Sequence, residues 1–217
     1  MNQTYTALTR ILSALPVSAW GIADIRRISP LGGGYPSALS ILLAYDPPPR
    51  PDDEEAFFHI LEDVRSRMFR ITAEVSRSLD RWDIPHVVIP QGGQDPHTLE
   101  ACFSHKRAAV LAGLGWIGKN CLLVTPEFGP RVRIATIFIG RELPTGTPVT
   151  ESLCGECTAC VSACPGGLIM GLPWKPGTPR ENLLDAHGCS EFREGLRPLL
   201  DRKGECGRCL LVCPQGR

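Results

Sequence analysis

Cysteines in the C-terminal part of the chain restrict its possible structures more than any other feature of the sequence. Eight of the ten cysteines lie there. The first four, Cys154, Cys157, Cys160 and Cys164, follow the spacing C-x2-C-x2-C-x3-C and are followed by Pro165. Three cysteines at this spacing can bind three corners of one [4Fe–4S] cubane, whereas the fourth points away and binds a second cluster. The run therefore predicts two [4Fe–4S] clusters in one chain.

A second cysteine run has the same ending but is one ligand short. Cys206, Cys209 and Cys213 have the spacing C-x2-C-x3-C before Pro214, and no cysteine stands at the required position before Cys206. Cys189 can supply the missing thiolate from a separate turn. The predicted ligand sets are Cys154, Cys157, Cys160 and Cys213 for the first cluster, and Cys164, Cys189, Cys206 and Cys209 for the second.

Two other uses of cysteine explain this pattern less well. A disulfide framework needs an oxidising compartment, and the N-terminal segment lacks the positive region and the long apolar region of a signal peptide. Structural zinc sites use Cys-x2-Cys pairs, but they rarely add a third cysteine at the same spacing and a Cys-Pro beyond it. Cys102 and Cys121, which the two ligand sets do not need, are predicted to be buried, unreactive thiols.

Length and charge bound the organisation of the chain. With 217 residues it can form one sizeable core and a small module held together by metal. We predict a core over residues 1–143 and a two-cluster module over 144–217. The formal net charge of +0 gives no electrostatic reason to expect nucleic acid or an anionic membrane as a partner, although it does not exclude a local basic groove. No apolar run has the length of a membrane-spanning helix, so we predict a cytoplasmic protein without membrane contact.

Hydrophobic periodicity predicts a mixture of helices and strands without regular alternation. Apolar residues recur every three or four positions in the predicted helices, and continuous apolar runs mark the predicted strands. We therefore predict an α+β fold, with helices packed on a central sheet. The predicted helices cover residues 4–15, 52–81 and 98–112, and the predicted strands cover 17–25, 38–45, 86–90, 120–125 and 131–139.

A glycine-rich loop with the spacing GxGxxG follows the last of these helices. A dinucleotide-binding loop needs a strand before it and a helix after it, whereas here a helix precedes the loop and a strand follows it. Two interpretations remain: a tight turn from helix to strand, or a loop that lies against a flat cofactor, where the absence of Cβ atoms allows close approach. The candidate cofactor-binding residues are Gly113, Leu114, Gly115, Trp116, Ile117, Gly118, Lys119 and Asn120.

These motifs together resemble a known family. SHKRAAVLAGLGWIGKN at 104–120, TPEFGPRVR at 125–133 and AHGCSEFR around Cys189, read with the cysteine pattern, are similar to the epoxyqueuosine reductases and in particular to a short branch of epoxyqueuosine-reductase-like proteins. The reductive dehalogenases are wider relatives of that family. The resemblance covers roughly residues 35–217.

The resemblance implies a fold and a set of cofactors. It implies a nitroreductase-derived core sheet with flanking helices, a C-terminal ferredoxin-like module with two [4Fe–4S] clusters, and a cobalamin between the two parts. The loop from Gly113 to Asn120 would border the corrinoid. His105 and Lys106, on the helix that leads into this loop, become candidate catalytic proton donors.

The chain departs from the family pattern in two places. The reductases carry an acidic residue some fourteen positions before the first glycine of the loop, where this chain has Leu99, and Asp95 is near but out of register. The chain also stops at Arg217, where the family continues into a helical-repeat extension linked to tRNA binding. From this and from the neutral charge, tRNA is not expected as a partner.

Four functions stay open at this point. The first is a cobalamin-dependent reductase of a small molecule, in which the clusters pass electrons to the corrinoid. The others are an electron-transfer protein that acts on a partner, a protein that reduces the corrinoid of another protein, and an epoxyqueuosine reductase that acts on tRNA. The expected partners are an external electron donor such as ferredoxin or flavodoxin, together with a small-molecule substrate or a corrinoid protein.

Overall fold

The computed structural model describes residues 2–46, 54–92, 94–196 and 206–216. It divides the chain into two compact units, each made of three segments. Unit 1 comprises residues 1–44, 64–114 and 133–149, and unit 2 comprises residues 45–63, 115–132 and 150–217. The sequence predicted a core over residues 1–143 and a module over 144–217 that fold as separate parts. The compact units do not measure independent folding, so this boundary stays a prediction.

Unit 1 is built on a four-stranded sheet with the strand order β1-β2-β6-β3. Strands β1 and β2 are antiparallel, with Ala19 opposite Leu42, and β3 and β6 are antiparallel, with His86 opposite Ile139. Every residue of β2 except its last is buried, as expected for an apolar central strand. The bounds are β1 Ala19–Asp24, β2 Ser37–Ala44, β3 His86–Val88 and β6 Val132–Ile139, with a short 3-10 turn at Gly32–Gly34.

Unit 1 also contains α1 Gln3–Ala14, α3 His105–Leu111 and the part of α2 Glu54–Arg81 that begins at Val64. Asn2 caps α1 through a bond from the Tyr5 amide, and Ser104 caps α3 through a bond from the Arg107 amide. Along α2 the buried side chains recur every three or four positions, as one core-facing stripe requires: Val64, Met68, Ile71, Val75 and Leu79 in unit 1.

Unit 2 contains little regular structure. It holds a two-stranded antiparallel hairpin of β4 Trp116–Ile117 and β5 Leu123–Val124. Its helices after residue 150 are α4 Ala159–Ser162, α5 Ala186–Gly195 and α6 Arg208–Leu211, with a 3-10 turn at Arg180–Asn182. Two of these helices have four residues, far below the length at which a helix is stable alone, so contacts with other parts of the unit must hold them.

Each predicted element is found in whole or in part, and one short strand was missed. The helix predicted over 98–112 begins only at His105, because Leu99 has a positive φ of 55° and Ser104 caps the shorter helix. The strand predicted over 120–125 is reduced to Leu123–Val124, since Asn120 and Cys121 form a turn, and the strand at Trp116–Ile117 was missed. Residues 52 and 53 of the predicted long helix lie outside the described residues.

The observed fold is a mixed α and β structure with a small antiparallel sheet, which agrees with the predicted α+β class. Among the described residues, no helix combines the length and apolar character needed to cross a membrane. Cys121 is buried as predicted, whereas the prediction for Cys102 was wrong because its side chain is exposed.

Candidate functional site

The first predicted set of thiols comes together within unit 2. Cys154 and Cys157 lie on the turn before α4, Cys160 lies in that helix, and Cys213 follows α6. Burial raises the pKa of the Cys160 thiol, and the nearby thiols of Cys154, Cys213 and Cys157 raise it further. All four side chains line one cavity, as ligands of one cluster would.

A cavity separates these four cysteines. Its volume is ≈ 350 Å³, counting the part that opens to solvent. The cavity is lined by Lys119, Asn120, Val124, Cys154, Cys157, Ala159, Cys160, Cys213, Pro214 and Gln215. Four thiols around one space form a donor set suited to a [4Fe–4S] cluster, which is held by Cys thiolates.

The thiols of the second predicted set influence one another's pKa. Burial raises the pKa of the Cys209 thiol to about 12, and the thiols of Cys189, Cys206, Cys160 and Cys164 contribute to the increase. Burial raises the pKa of Cys189 as well; Arg193 lowers it, and Cys206 and Cys164 raise it. Cys164 and Cys206 raise the pKa of both groups, and together with Cys189 and Cys209 they are the four thiols that the spacing assigns to the second cluster.

The chain brings Cys189 to this set by pairing two irregular segments. Ile169 and Leu184 form an isolated antiparallel bridge, and the Asp185 amide donates to the Leu168 carbonyl at 2.9 Å. Asp185 then caps α5, its carboxylate accepting from the Gly188 amide at 2.8 Å. Helix α5 therefore starts beside the segment that follows Cys164, one turn before Cys189. This pairing explains how a cysteine outside both runs can complete a set.

Three polar side chains bind the main chain of the cysteine segments. Lys119 Nζ donates to the carbonyls of Gly155 at 2.8 Å and Cys157 at 3.1 Å. Asn120 Nδ2 donates to the Cys209 carbonyl at 3.1 Å. Both side chains are buried. They were predicted to bind a cofactor, which stays a prediction, and in the structure their hydrogen bonds hold the segments that carry the thiols.

Arg131 has a similar role and was not identified from the sequence. Its guanidinium donates from Nη1 to the Cys213 carbonyl at 3.0 Å, and from Nη2 to the Gln215 and Gly216 carbonyls at 2.5 and 2.8 Å. The arginine is buried, and it lowers the pKa of Cys213, a thiol whose pKa burial raises. In the sequence, Arg131 is only an arginine directly before an apolar strand. Many exposed arginines have the same position, so this pattern does not identify a buried one.

The glycines of the loop make room for protein atoms. A Cβ atom on Gly115 would overlap the Val124 carbonyl oxygen across the hairpin. Gly113 has a φ of +78°, and its Cβ would lie 2.6 Å from the Thr147 carbonyl oxygen. Of the eight loop residues, only Gly113 and Leu114 are not buried. Corrinoid contact by this loop stays a prediction, and Gly113 and Leu114 have the surface for it.

His105 is tied to its own unit through both ring nitrogens. Nε2 lies 3.2 Å from the Pro90 carbonyl, which can only accept, so this nitrogen carries the proton. Nδ1 then accepts from the Thr136 hydroxyl at 2.8 Å. Burial lowers the pKa of His105, the Pro90 carbonyl raises it, and Arg133 lowers it. The neutral ring, whose proton is bound to the Pro90 carbonyl, connects α3 to neighbouring segments of unit 1. A catalytic role for His105 or the half-buried Lys106 stays a prediction.

Asp95 is engaged in a local turn. Its carboxylate accepts from the amides of Thr98 at 2.8 Å and His97 at 2.9 Å, and these bonds lower its pKa. Leu99 closes the same turn by donating its amide to the Asp95 carbonyl at 2.8 Å. The acidic side chain therefore caps a loop, which agrees with its position out of register with the family motif.

Among residues 2–46, 54–92, 94–196 and 206–216, no three histidine, cysteine, aspartate or glutamate side chains are placed to hold one metal ion. Sulfur ligands of one zinc ion lie about 3.8 Å apart, because each Zn–S bond is about 2.3 Å in a tetrahedron. A cubane instead distributes its four thiolates over four separate iron atoms.

Comparison with known proteins confirms the resemblance to epoxyqueuosine reductases. No family model matches the chain. The chain is 33% identical over 115 residues to the epoxyqueuosine reductase of Listeria monocytogenes, an alignment of 49% of this chain and 28% of that protein. It is 35% identical over 116 residues to the Escherichia coli enzyme, covering 49% of this chain and 28% of that enzyme. The chain thus spans about a third or less of the length of these relatives.

Solved structures show that the fold is shared. An epoxyqueuosine reductase bound to an epoxyqueuosine-modified tRNA-Tyr stem loop matches 99% of this chain and 66% of its own, with a TM-score of 0.64 at 21% identity. A reductive dehalogenase whose structure suggests a mechanism for B12-dependent dehalogenation matches 97% of this chain and 32% of its own, with a TM-score of 0.75 at 16% identity.

The expectation that tRNA is not a partner was wrong. It rested on the neutral charge and on the end of the chain, and a structural relative that covers 99% of this chain has been solved with a tRNA stem loop. Formal net charge sums over the whole surface, so it does not report on a local basic groove.

The comparisons show that the chain is similar in sequence to epoxyqueuosine reductases, which are oxidoreductases, and similar in fold to them and to reductive dehalogenases.

Proposed function

We propose that this chain is an iron–sulfur oxidoreductase of the epoxyqueuosine reductase type, with two [4Fe–4S] clusters and a cobalamin. The observation that carries the proposal is the assembly of two sets of four cysteines, around Cys160 and around Cys209, in a chain similar to these reductases. When bound, the clusters supply single electrons and the corrinoid supplies a reducible cobalt.

The chain's own residues bind and shield the metal. Each thiol must lose its proton to bind iron, and burial raises the pKa of several of them, so cluster binding releases protons. Lys119, Asn120 and Arg131 bind the main chain of the segments whose thiols would hold the clusters. Gly113 and Leu114 are the loop residues whose surface would meet the corrinoid.

Modified tRNA is the first substrate to test. The curated relatives are epoxyqueuosine reductases, and one structural relative holds a tRNA stem loop that carries the modified base. Reduction of a small molecule is the second candidate. The TM-score to the structure that suggests a mechanism for B12-dependent dehalogenation is 0.75, against 0.64 for the reductase bound to the tRNA stem loop.

Metal analysis tests the cofactors directly. Protein purified and reconstituted without oxygen should contain about eight iron and about eight sulfide per chain, and it should bind cobalamin in a titration followed by visible absorbance. About four iron per chain would contradict two clusters. If the protein has its full iron content but does not bind cobalamin under reducing conditions, the result would favour the electron-transfer function.

A substrate assay separates the two candidates. The loaded protein, supplied with dithionite, should convert an epoxyqueuosine-modified stem loop, detected by mass spectrometry of the released nucleoside. An unmodified stem loop and protein without iron are the controls. Absence of conversion by protein that holds both cofactors would contradict the tRNA substrate and favour a small molecule.

A further inference from the structure

Two buried cations lie beside the first set of thiols in unit 2. Lys119 borders the cavity between these thiols and is 7% exposed, and Arg131, also 7% exposed, binds the main chain at Cys213. Together they bind five carbonyls on two of the segments that carry cysteines of this set. Asn120, the neutral member of the group, instead binds the Cys209 carbonyl of the second set.

The charge of Lys119 is not balanced by a carboxylate in the part of the chain that the structure describes. Its two hydrogen bonds are to neutral carbonyls, and no ion pair between described residues includes it. A buried charge is costly unless a charge of opposite sign is near. A cluster bound by four thiolates has a net negative charge, and in this cavity it would provide that balance.

The electrostatic effect depends on the redox state of the cluster. A cluster that takes up one electron becomes more negative by one charge, so a fixed cation nearby stabilises the reduced form more than the oxidised form. Net charge, hydrogen bonds and solvent exposure are the factors that set the potential of a cluster. In a buried site this attraction is screened much less than at the surface.

We propose that Lys119, assisted by Arg131, is a positioning residue that holds the first set of cysteine segments and raises the reduction potential of the cluster bound there. The proposal rests on the clusters of the proposed function and adds a role for the GKN part of the loop. Lys119 would thus help the first cluster accept an electron, whereas Asn120 would orient a ligand of the second cluster without changing its charge.

Variants of Lys119 separate charge from shape. Lys119→Gln keeps an amide donor and removes the charge, Lys119→Arg keeps the charge, and Lys119→Met removes both. Lys175→Met is the matched control, since Lys175 is an exposed lysine of the same unit. The full chain is reconstituted without oxygen, its iron is counted, and its midpoint potentials are measured by titration with dithionite followed by EPR.

Lys119→Gln should lower the ratio of reduced to oxidised cluster about tenfold at a fixed potential. This change corresponds to a decrease of about 59 mV in the midpoint potential of a one-electron couple. One of the two cluster potentials should move while the other stays. Lys119→Arg should restore most of the original value, and Lys175→Met should have no effect. Equal potentials in the unmodified protein and in Lys119→Gln, at full iron content, would overturn the proposal.

Loss of the cluster is also informative. If both neutral variants lose about half of their iron while Lys119→Arg keeps it, the positive charge is needed to bind the cluster, which supports the proposal. If Lys119→Arg loses the same iron, the side chain acts through its shape and the proposal is overturned. Absence of iron in the unmodified protein would instead contradict the proposed function, so the two failures are distinct.

Discussion

The two units of this protein are stabilised in different ways. Unit 1 has a regular sheet and a core of fully buried apolar side chains, such as Leu39, Leu42 and Phe138. Unit 2 has a hairpin of two-residue strands, helices as short as four residues, and several buried polar side chains that bind carbonyls of its loops. Burial of hydrocarbon stabilises the first unit, whereas the second has fewer regular hydrogen bonds and depends on specific polar contacts and, we propose, on metal.

This difference explains where the chemistry is placed. Short segments without a regular ladder leave main-chain carbonyls that side chains must satisfy. Lys119, Asn120 and Arg131 satisfy them in unit 2, and so they fix the positions of thiols that a flexible loop would leave scattered. Pre-organisation of the ligands is thus a property of polar side chains far from the cysteines in sequence.

Substitution of Cys189 should have the largest effect on unit 2. Cys189→Ala should remove or convert the second cluster, with a loss of up to about half of the iron, because in the predicted ligand sets eight thiolates bind two clusters. Iron analysis and EPR measure this, and the signal of the first cluster should persist. Cys102→Ala, at an exposed cysteine of unit 1, is the control and should keep all the iron. Full iron with unchanged spectra in Cys189→Ala would mean that another ligand completes the second cluster.

Substitution of Phe138 should have the largest effect on unit 1. Its ring is fully buried and packs edge-to-face on Phe103 with centroids 4.7 Å apart, so Phe138→Ala should lower the free energy of unfolding by about 3–5 kcal/mol. Urea unfolding followed by circular dichroism measures the loss. Phe69→Ala, at a ring that is 74% exposed, should change stability by less than about 0.5 kcal/mol. Equal effects of the two would contradict an apolar core at Phe138.

A single methyl group tests the hairpin of unit 2. Gly115→Ala should lower the free energy of unfolding by about 1–3 kcal/mol, because the added Cβ would overlap the Val124 carbonyl and must separate the strands. Gly195→Ala is the control, since a Cβ there meets no atom within 4 Å. If thermal unfolding shows the same stability for both variants, the close approach of the hairpin strands is not needed.

The smallest expected effect is a pH dependence within unit 1. Burial lowers the pKa of His105 below its ordinary value of 6.5, so on acidification the unfolded chain binds a proton before the folded chain does. The stabilising contribution is therefore complete above pH 6.5 and is lost as the pH falls through the folded-state pKa. His105→Gln should flatten this part of the curve of unfolding free energy against pH, whereas His59→Gln, on an exposed side chain, should not. An unchanged slope in His105→Gln would contradict the buried neutral ring.

Several features of the fold could be read directly from local sequence. The periodic apolar residues from Val64 to Leu79 identify a helix, and the apolar run at 38–45 identifies the central strand. The early start predicted for α3 could have been avoided, because Ser104 is a standard capping residue. What local sequence could not show was the positive φ of Leu99, which depends on the turn that Asp95 forms around it.

The sequence by itself determined the number of thiols and predicts their division into two sets, because the spacing of ligands along a short segment is a local constraint. Only the tertiary structure decided how Cys189 reaches its set, through the pairing of Ile169 with Leu184. It also decided that Lys119 and Arg131 bind carbonyls 36 and 82 residues away. Hydrogen bonds between side chains and distant main-chain atoms follow no periodicity, so they leave no pattern in the sequence and exist only once the chain has folded.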